Sequence, residues 1–150
     1  MHTTCTKIYS DMPFAHRQWR HDGHCALIHG HNWTFEITFS ANQLDVNGFV
    51  VDFGKLKPLK SWLDSMFDHT LVLSDDDPQL AMLKHNLQSN CFAKVVAVPN
   101  CGAEGLARYL FHQINERLDI VVADYDVRDV HVCRVVVRED SKNFATYERA

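Results

Sequence analysis

The chain carries 15 basic and 19 acidic side chains in 150 residues, a formal charge of −4, and 46% of its residues are apolar. That length suits one domain over 1–150, able to hide roughly 70% of its unfolded surface, and so balanced a composition excludes a disordered or low-complexity chain. With no Lys/Arg-rich block and no stretch near the ~20 apolar residues of a bilayer span, neither nucleic acid nor a membrane is expected as a partner. Cys5, Cys25, Cys91, Cys101 and Cys133 form an odd set at irregular spacing, without a leader-like apolar run near the start. They read as free thiols of a cytoplasmic protein.

In chain order, Thr6 to Arg17 is a weak extended segment, and HDGHCALIHGHNW at 21–33 is a histidine-rich loop running into a second strand. From Asn32 to Ser40 the strict alternation of Trp33, Phe35, Ile37 and Phe39 with polar residues predicts a half-buried strand, antiparallel to the first. DVNG at 45–48 is turn chemistry, and Asp52 is an N-cap before Leu56, Leu59, Leu63, Met66 and Phe67 at helical spacing. Pro58 fits only a first turn, so this helix either starts late or kinks. Asp77 and Pro78 open a short amphipathic helix carrying Leu80, Leu83 and Leu87, and AKVVAVP at 93–99 is a brief strand. Starting near Cys101, Ala107, Leu110, Phe111, Ile114 and Leu118 mark a core-facing helix of four to five turns. A long strand over 127–139 and a short one over 143–148 complete an α+β layout.

His29 and His31 flank Gly30 on an extended backbone, so their imidazoles share a face. An antiparallel neighbour can bring His16 to the same point. Three neutral imidazoles around Zn²⁺ leave one position open, the catalytic type of zinc site. The plainer alternatives are a solvated histidine cluster, or a structural site that takes Cys25, His21 or His24 as fourth ligand. Cys25 sits four residues before His29, where a nearby cation favours a thiolate able to move a proton. Asp68 and His69 follow a helix; the plain reading is an ordinary helix terminus, the functional one an acid/base group in which Asp68 orients His69. Glu104, in a helix first turn, and Glu139, at a strand end, are each explained by local charge. Either could also hold an amidine-like ring edge by two parallel hydrogen bonds.

Six stretches, FAHR at 14–17, CALIHGHN at 25–32, GFVVDFGKLK at 48–57, FDHTLVL at 67–73, AEGLARYL at 103–110 and VVVRED at 135–140, together resemble the family of 6-pyruvoyl- and 6-carboxy-tetrahydropterin synthases. The resemblance implies the tunnelling fold: a four-stranded antiparallel sheet with helices on one face, the sheets of several subunits joining into a barrel. It implies a homohexamer built from two trimers, with active sites at subunit interfaces. It also implies zinc held by His16, His29 and His31, Cys25 as catalytic thiol with Asp68 and His69, and Glu139 as pterin anchor with Glu104 lining the pocket. The three residues between Cys25 and His29 are similar to the bacterial 6-carboxy-tetrahydropterin synthases of the queuosine pathway. The implied reaction converts 7,8-dihydroneopterin triphosphate to 6-carboxy-tetrahydropterin, releasing acetaldehyde and triphosphate; a 6-pyruvoyl product, or a non-catalytic zinc- or pterin-binding oligomer, is the alternative. Arg17, Arg20, Lys55 and Lys57 are candidates for the triphosphate. Three features depart from the family pattern: PNCGAE at 99–104, Glu139-Asp140, and a longer segment over 74–98.

Overall fold

The computed structural model describes residues 2–125 and 130–150. Strands β1 (Thr3–His16) and β2 (His29–Ala41) pair antiparallel from Thr3↔Ala41 to His16↔His29. The predicted alternation is the middle of β2, with Trp33, Phe35, Ile37 and Phe39 fully buried. The weaker pattern of β1 has a physical cause. Its register shifts between Tyr9 and Met12, and Asp11 there takes a positive φ of 57°. Such a bulge inserts a residue and re-aims the side chains beyond it, so that Tyr9 is succeeded on the core face by Met12, Phe14 and His16. Without it, Ala15 would face the core and His16 would point away.

The turn at 45–48 forms as expected, with the Gly48 N–H donating to the Asp45 carbonyl at 2.9 Å and Gly48 at φ +80°. Asp52 caps a 3₁₀ turn over Phe53–Leu56, its carboxylate accepting the Gly54 N–H at 2.8 Å. Helix α1 (Lys57–Phe67) therefore starts late, with Pro58 in its first turn. Its Leu59, Leu63 and Phe67 are buried in the main core, Phe67 against Phe14 of β1 and Phe35 of β2.

Strand β3 (Thr70–Ser74) was not expected from the sequence. All five of its residues are buried, so they show no alternation. It runs parallel to β1 on one side and to β4 (Lys94–Val98) on the other. Between them, the Asp77 carboxylate accepts the Gln79 N–H at 2.8 Å, and α2 (Leu80–Leu83) runs into a π-helical turn over Lys84–Gln88. Leu80, Leu83 and Leu87 cover Leu71, Leu73 and Val95, a small second core on the other sheet face.

Helix α3 (Ala103–Asn115) is shorter than expected at both ends, and Leu118 belongs to a separate turn, α4 (Leu118–Val121). Strand β5 (His131–Arg138) pairs with β2, and β6 (Phe144–Glu148) pairs with β5, both antiparallel. Residues 127–129 of the strand predicted over 127–139 lie outside the described residues. The α+β class holds, but among the described residues the sheet has six strands, in the order β4-β3-β1-β2-β5-β6, rather than four. The expected antiparallel set is β1, β2, β5 and β6; the two parallel strands extend it beside β1, where β3 and β4 need a crossover that the 74–98 segment supplies. Among the described residues no helix is long and apolar enough to cross a membrane.

Candidate functional site

At the end of the β1–β2 pair, Phe14 stands opposite His31 and His16 opposite His29. One nitrogen from each of His16, His29 and His31 lies within 4.8 Å of the others, a group able to hold a metal ion. The rings meet edge to face, with centroids 4.7 to 5.2 Å apart. Trp33 forms the floor, its indole edge-on to His16 at 5.0 Å and to His31 at 5.2 Å. It is fully buried, stacked on Phe14 at 4.4 Å, and donates its Nε1–H to the Phe14 carbonyl at 3.1 Å.

Two of the imidazoles are oriented by backbone. His16 Nδ1 lies 2.8 Å from the Cys101 carbonyl, and His29 Nδ1 lies 2.7 Å from the Leu27 carbonyl. A carbonyl can only accept, so each Nδ1 carries the proton and each Nε2 keeps its lone pair for a cation. His16 is 2% exposed. Burial pushes its pKa down to about 4, the charges of His29 and His31 adding to the fall and the bond to Cys101 opposing it. His16 is therefore neutral at neutral pH, the form that ligates.

Cys25 lies in a 3₁₀ turn over His24–Ala26, fastened where its carbonyl accepts the Gln18 N–H at 2.8 Å. His21 closes the neighbouring turn by accepting the Gly23 N–H at 2.9 Å. Arg17 donates two hydrogen bonds, at 2.7 and 2.8 Å, to Asp77, whose side chain is fully buried. That guanidinium is consequently not free for a triphosphate. Arg20 sits over the Trp19 ring and reaches Asp76 at 3.0 Å.

Asp68 follows α1, and its carboxylate is 2.8 Å from His69 Nδ1. His69 has a positive φ of 52° and is anchored by its N–H to the Pro13 carbonyl at 2.9 Å, which turns its ring outward to 81% exposure. With Nδ1 engaged by Asp68, Nε2 is the ring nitrogen left to donate or accept a proton. His69 and His31 line one groove of about 680 Å³, together with Ile28, Leu87 and Phe92. Cys25 is not among the lining residues, and no hydrogen bond among the described residues joins its thiol to the Asp68–His69 pair. Glu139 does approach the histidine cluster, its Oε1 4.0 Å from His16 Nε2. Glu104 lines a different cavity of about 650 Å³ on α3, with Arg108, Tyr109 and His112.

Cys101 and Ser74, which stand behind His16, were not singled out from the sequence as site residues. Only the irregular PNCGAE run at 99–104 pointed to that loop, because what Cys101 offers His16 is a backbone carbonyl that any residue would carry.

Residues 5–150 match the family model described as 6-pyruvoyl tetrahydropterin synthase. A 6-carboxy-5,6,7,8-tetrahydropterin synthase of Rickettsia typhi is 36% identical over 117 residues, covering 77% of this chain and 83% of the relative. The enzyme of the same name from Aquifex aeolicus is 27% identical, covering 83% and 75% respectively. In structure, a Wolinella succinogenes protein superposes with TM-score 0.81 at 18% identity, covering 100% of this chain and 99% of that one. Caenorhabditis elegans 6-pyruvoyl tetrahydropterin synthase superposes with TM-score 0.64 at 21% identity, covering 100% and 97%. At such identities the likeness speaks for the fold, the tunnelling fold with its α+β arrangement.

Proposed function

The chain belongs to the 6-pyruvoyl tetrahydropterin synthase family, and within it we propose that it is a zinc-dependent 6-carboxy-5,6,7,8-tetrahydropterin synthase, a lyase acting on 7,8-dihydroneopterin triphosphate in queuosine biosynthesis. The observation that carries the metal assignment is the convergence of His16, His29 and His31, one imidazole nitrogen of each within 4.8 Å of the others, a set that fits a tetrahedral zinc with one position left open. What supports the carboxy branch is the name shared by the Rickettsia and Aquifex relatives, together with three residues between Cys25 and His29. We assign the protein as one cytoplasmic catalytic domain that works as a homohexamer, a dimer of trimers.

Zinc bound by the three imidazoles would supply Lewis-acid polarisation of the substrate's side-chain hydroxyls. Cys25 takes and returns protons on one side of the reacting side chain. His69 does so on the other through Nε2, with Asp68 holding Nδ1 and stabilising the imidazolium when it forms. Glu139 accepts two N–H bonds from the 2-amino-4-oxo edge of the pterin, a charge-assisted bidentate contact; Glu104, which lines a separate cavity within one chain, would join that pocket only across a subunit interface. Among the described residues no hydrogen bond joins Cys25 to His69 within one chain, and we assign the site as completed between copies. Removing metal with a chelator is expected to abolish triphosphate release, and one equivalent of Zn²⁺ per chain to restore it. Undiminished release by metal-free protein would overturn the zinc assignment.

A further inference from the structure

We propose that Ser74 and the Cys101 thiol form a clasp that positions His16 for metal binding. This inference rests on the metal reading of the histidine cluster. His16 is the last residue of β1, and the chain leaves the sheet at Arg17, so the strand itself does not fix the imidazole's orientation. Cys101 grips this end at two points. Its carbonyl accepts from His16 Nδ1 at 2.8 Å, and its Sγ donates to the Arg17 carbonyl at 3.2 Å. Cys101 is itself held by Ser74, the last residue of β3, whose Oγ accepts the Cys101 N–H at 3.2 Å and donates to Cys101 Sγ at 3.4 Å. Cys101 is fully buried and Ser74 is 6% exposed, so no water substitutes for a lost partner.

The surroundings leave this loop one position. A Cβ on Gly102 would fall 2.3 Å from Gln18 Nε2, and one on Gly105 would fall 2.5 Å from the Asn100 carbonyl oxygen. The Gln18 side-chain end can swing aside, but the Asn100 carbonyl is backbone, so only glycine at 105 lets the loop lie this close to α3. On the other side, the buried Asp77 carboxylate holds the Arg17 side chain. The clasp thus lies on residues outside the three ligands: Ser74 and Asp77 belong to the longer 74–98 segment, and Cys101 to the PNCGAE run. Part of that segment therefore works behind the metal site. The thiol acts here as a hydrogen-bond donor of fixed direction, not as a ligand or nucleophile. Removing the group that holds the second nitrogen of a ligating histidine typically changes metal affinity by about 10- to 100-fold; here the Cys101 carbonyl stays and only its support is lost, so a smaller fall is expected.

The test uses Ser74→Ala, Cys101→Ala and Cys101→Ser in the full chain, with Co²⁺ titrated by its visible spectrum and imidazole ¹⁵N shifts recorded on the metal-free protein. Both alanine variants are expected to bind Co²⁺ more weakly, by up to about 10-fold, the low end of what losing the carbonyl itself would cost, and to show mixed His16 tautomers. Cys101→Ser, which keeps a donor and an acceptor, is expected to retain the Nδ1–H tautomer and an affinity close to wild type. A purely structural role would lower the unfolding midpoint and leave both readouts unchanged in folded protein; that result overturns the clasp. If Cys101→Ala does not fold, Ser74→Ala decides. A wild-type chain that binds no Co²⁺ would overturn the metal reading and this proposal together, whereas wild type and variants binding it equally would overturn the clasp alone.

Discussion

Replacing Cys25 by alanine is expected to lower turnover of 7,8-dihydroneopterin triphosphate by about 100- to 10,000-fold, the range typical of a lost general acid or base, while bound zinc stays at one per chain. The two readouts separate the roles open to this thiol. As a fourth structural ligand, Cys25 would take metal with it when removed. As a proton-transfer group it leaves His16, His29 and His31 intact, because the turn carrying it is fastened through its own backbone to Gln18. Zinc content by elemental analysis, measured beside the rate, checks this. Unchanged turnover would remove Cys25 from the mechanism, and loss of metal would make it a ligand.

The largest loss of stability is expected for Trp33→Ala, about 3–5 kcal/mol from urea unfolding midpoints, the range for emptying a fully buried aromatic site. The indole is stacked on Phe14 and also supports His16 and His31 from below. The variant is therefore expected to lose metal affinity as well as stability. Trp33→Phe keeps much of the volume but leaves the Phe14 carbonyl without its Nε1–H donor, so its cost is expected to be smaller. A loss under about 1 kcal/mol for Trp33→Ala would contradict this packing of the indole.

The legibility of the fold depended on the environment of each segment. β2 was readable because Thr34, Glu36 and Thr38 are only partly buried on the face opposite Trp33, Phe35, Ile37 and Phe39, which makes the period visible. β1 was weak because its bulge at Asp11 breaks the period, and that same bulge turns His16 toward His29 and His31. β3 was missed because a short strand buried on both sides has no polar alternate positions to mark it. The helix assigned from Cys101 to Leu118 was too long, since Leu118 continues the apolar spacing from across a break at Arg117, where φ reaches −126°.

For the site, the His-Gly-His spacing on an extended backbone carried two of the three metal candidates, and the antiparallel pairing carried the third. The outward turn of His69 depends on a positive φ that no local pattern announced. The commitment of Arg17 to Asp77 joins residues 60 positions apart, and only the folded crossover brings them together.

The most direct test of the proposed function is product analysis by mass spectrometry after zinc-loaded protein has been incubated with 7,8-dihydroneopterin triphosphate. The expected products are 6-carboxy-tetrahydropterin, acetaldehyde and triphosphate in equal amounts. Triphosphate released with a 6-pyruvoyl product and no acetaldehyde would contradict the carboxy assignment.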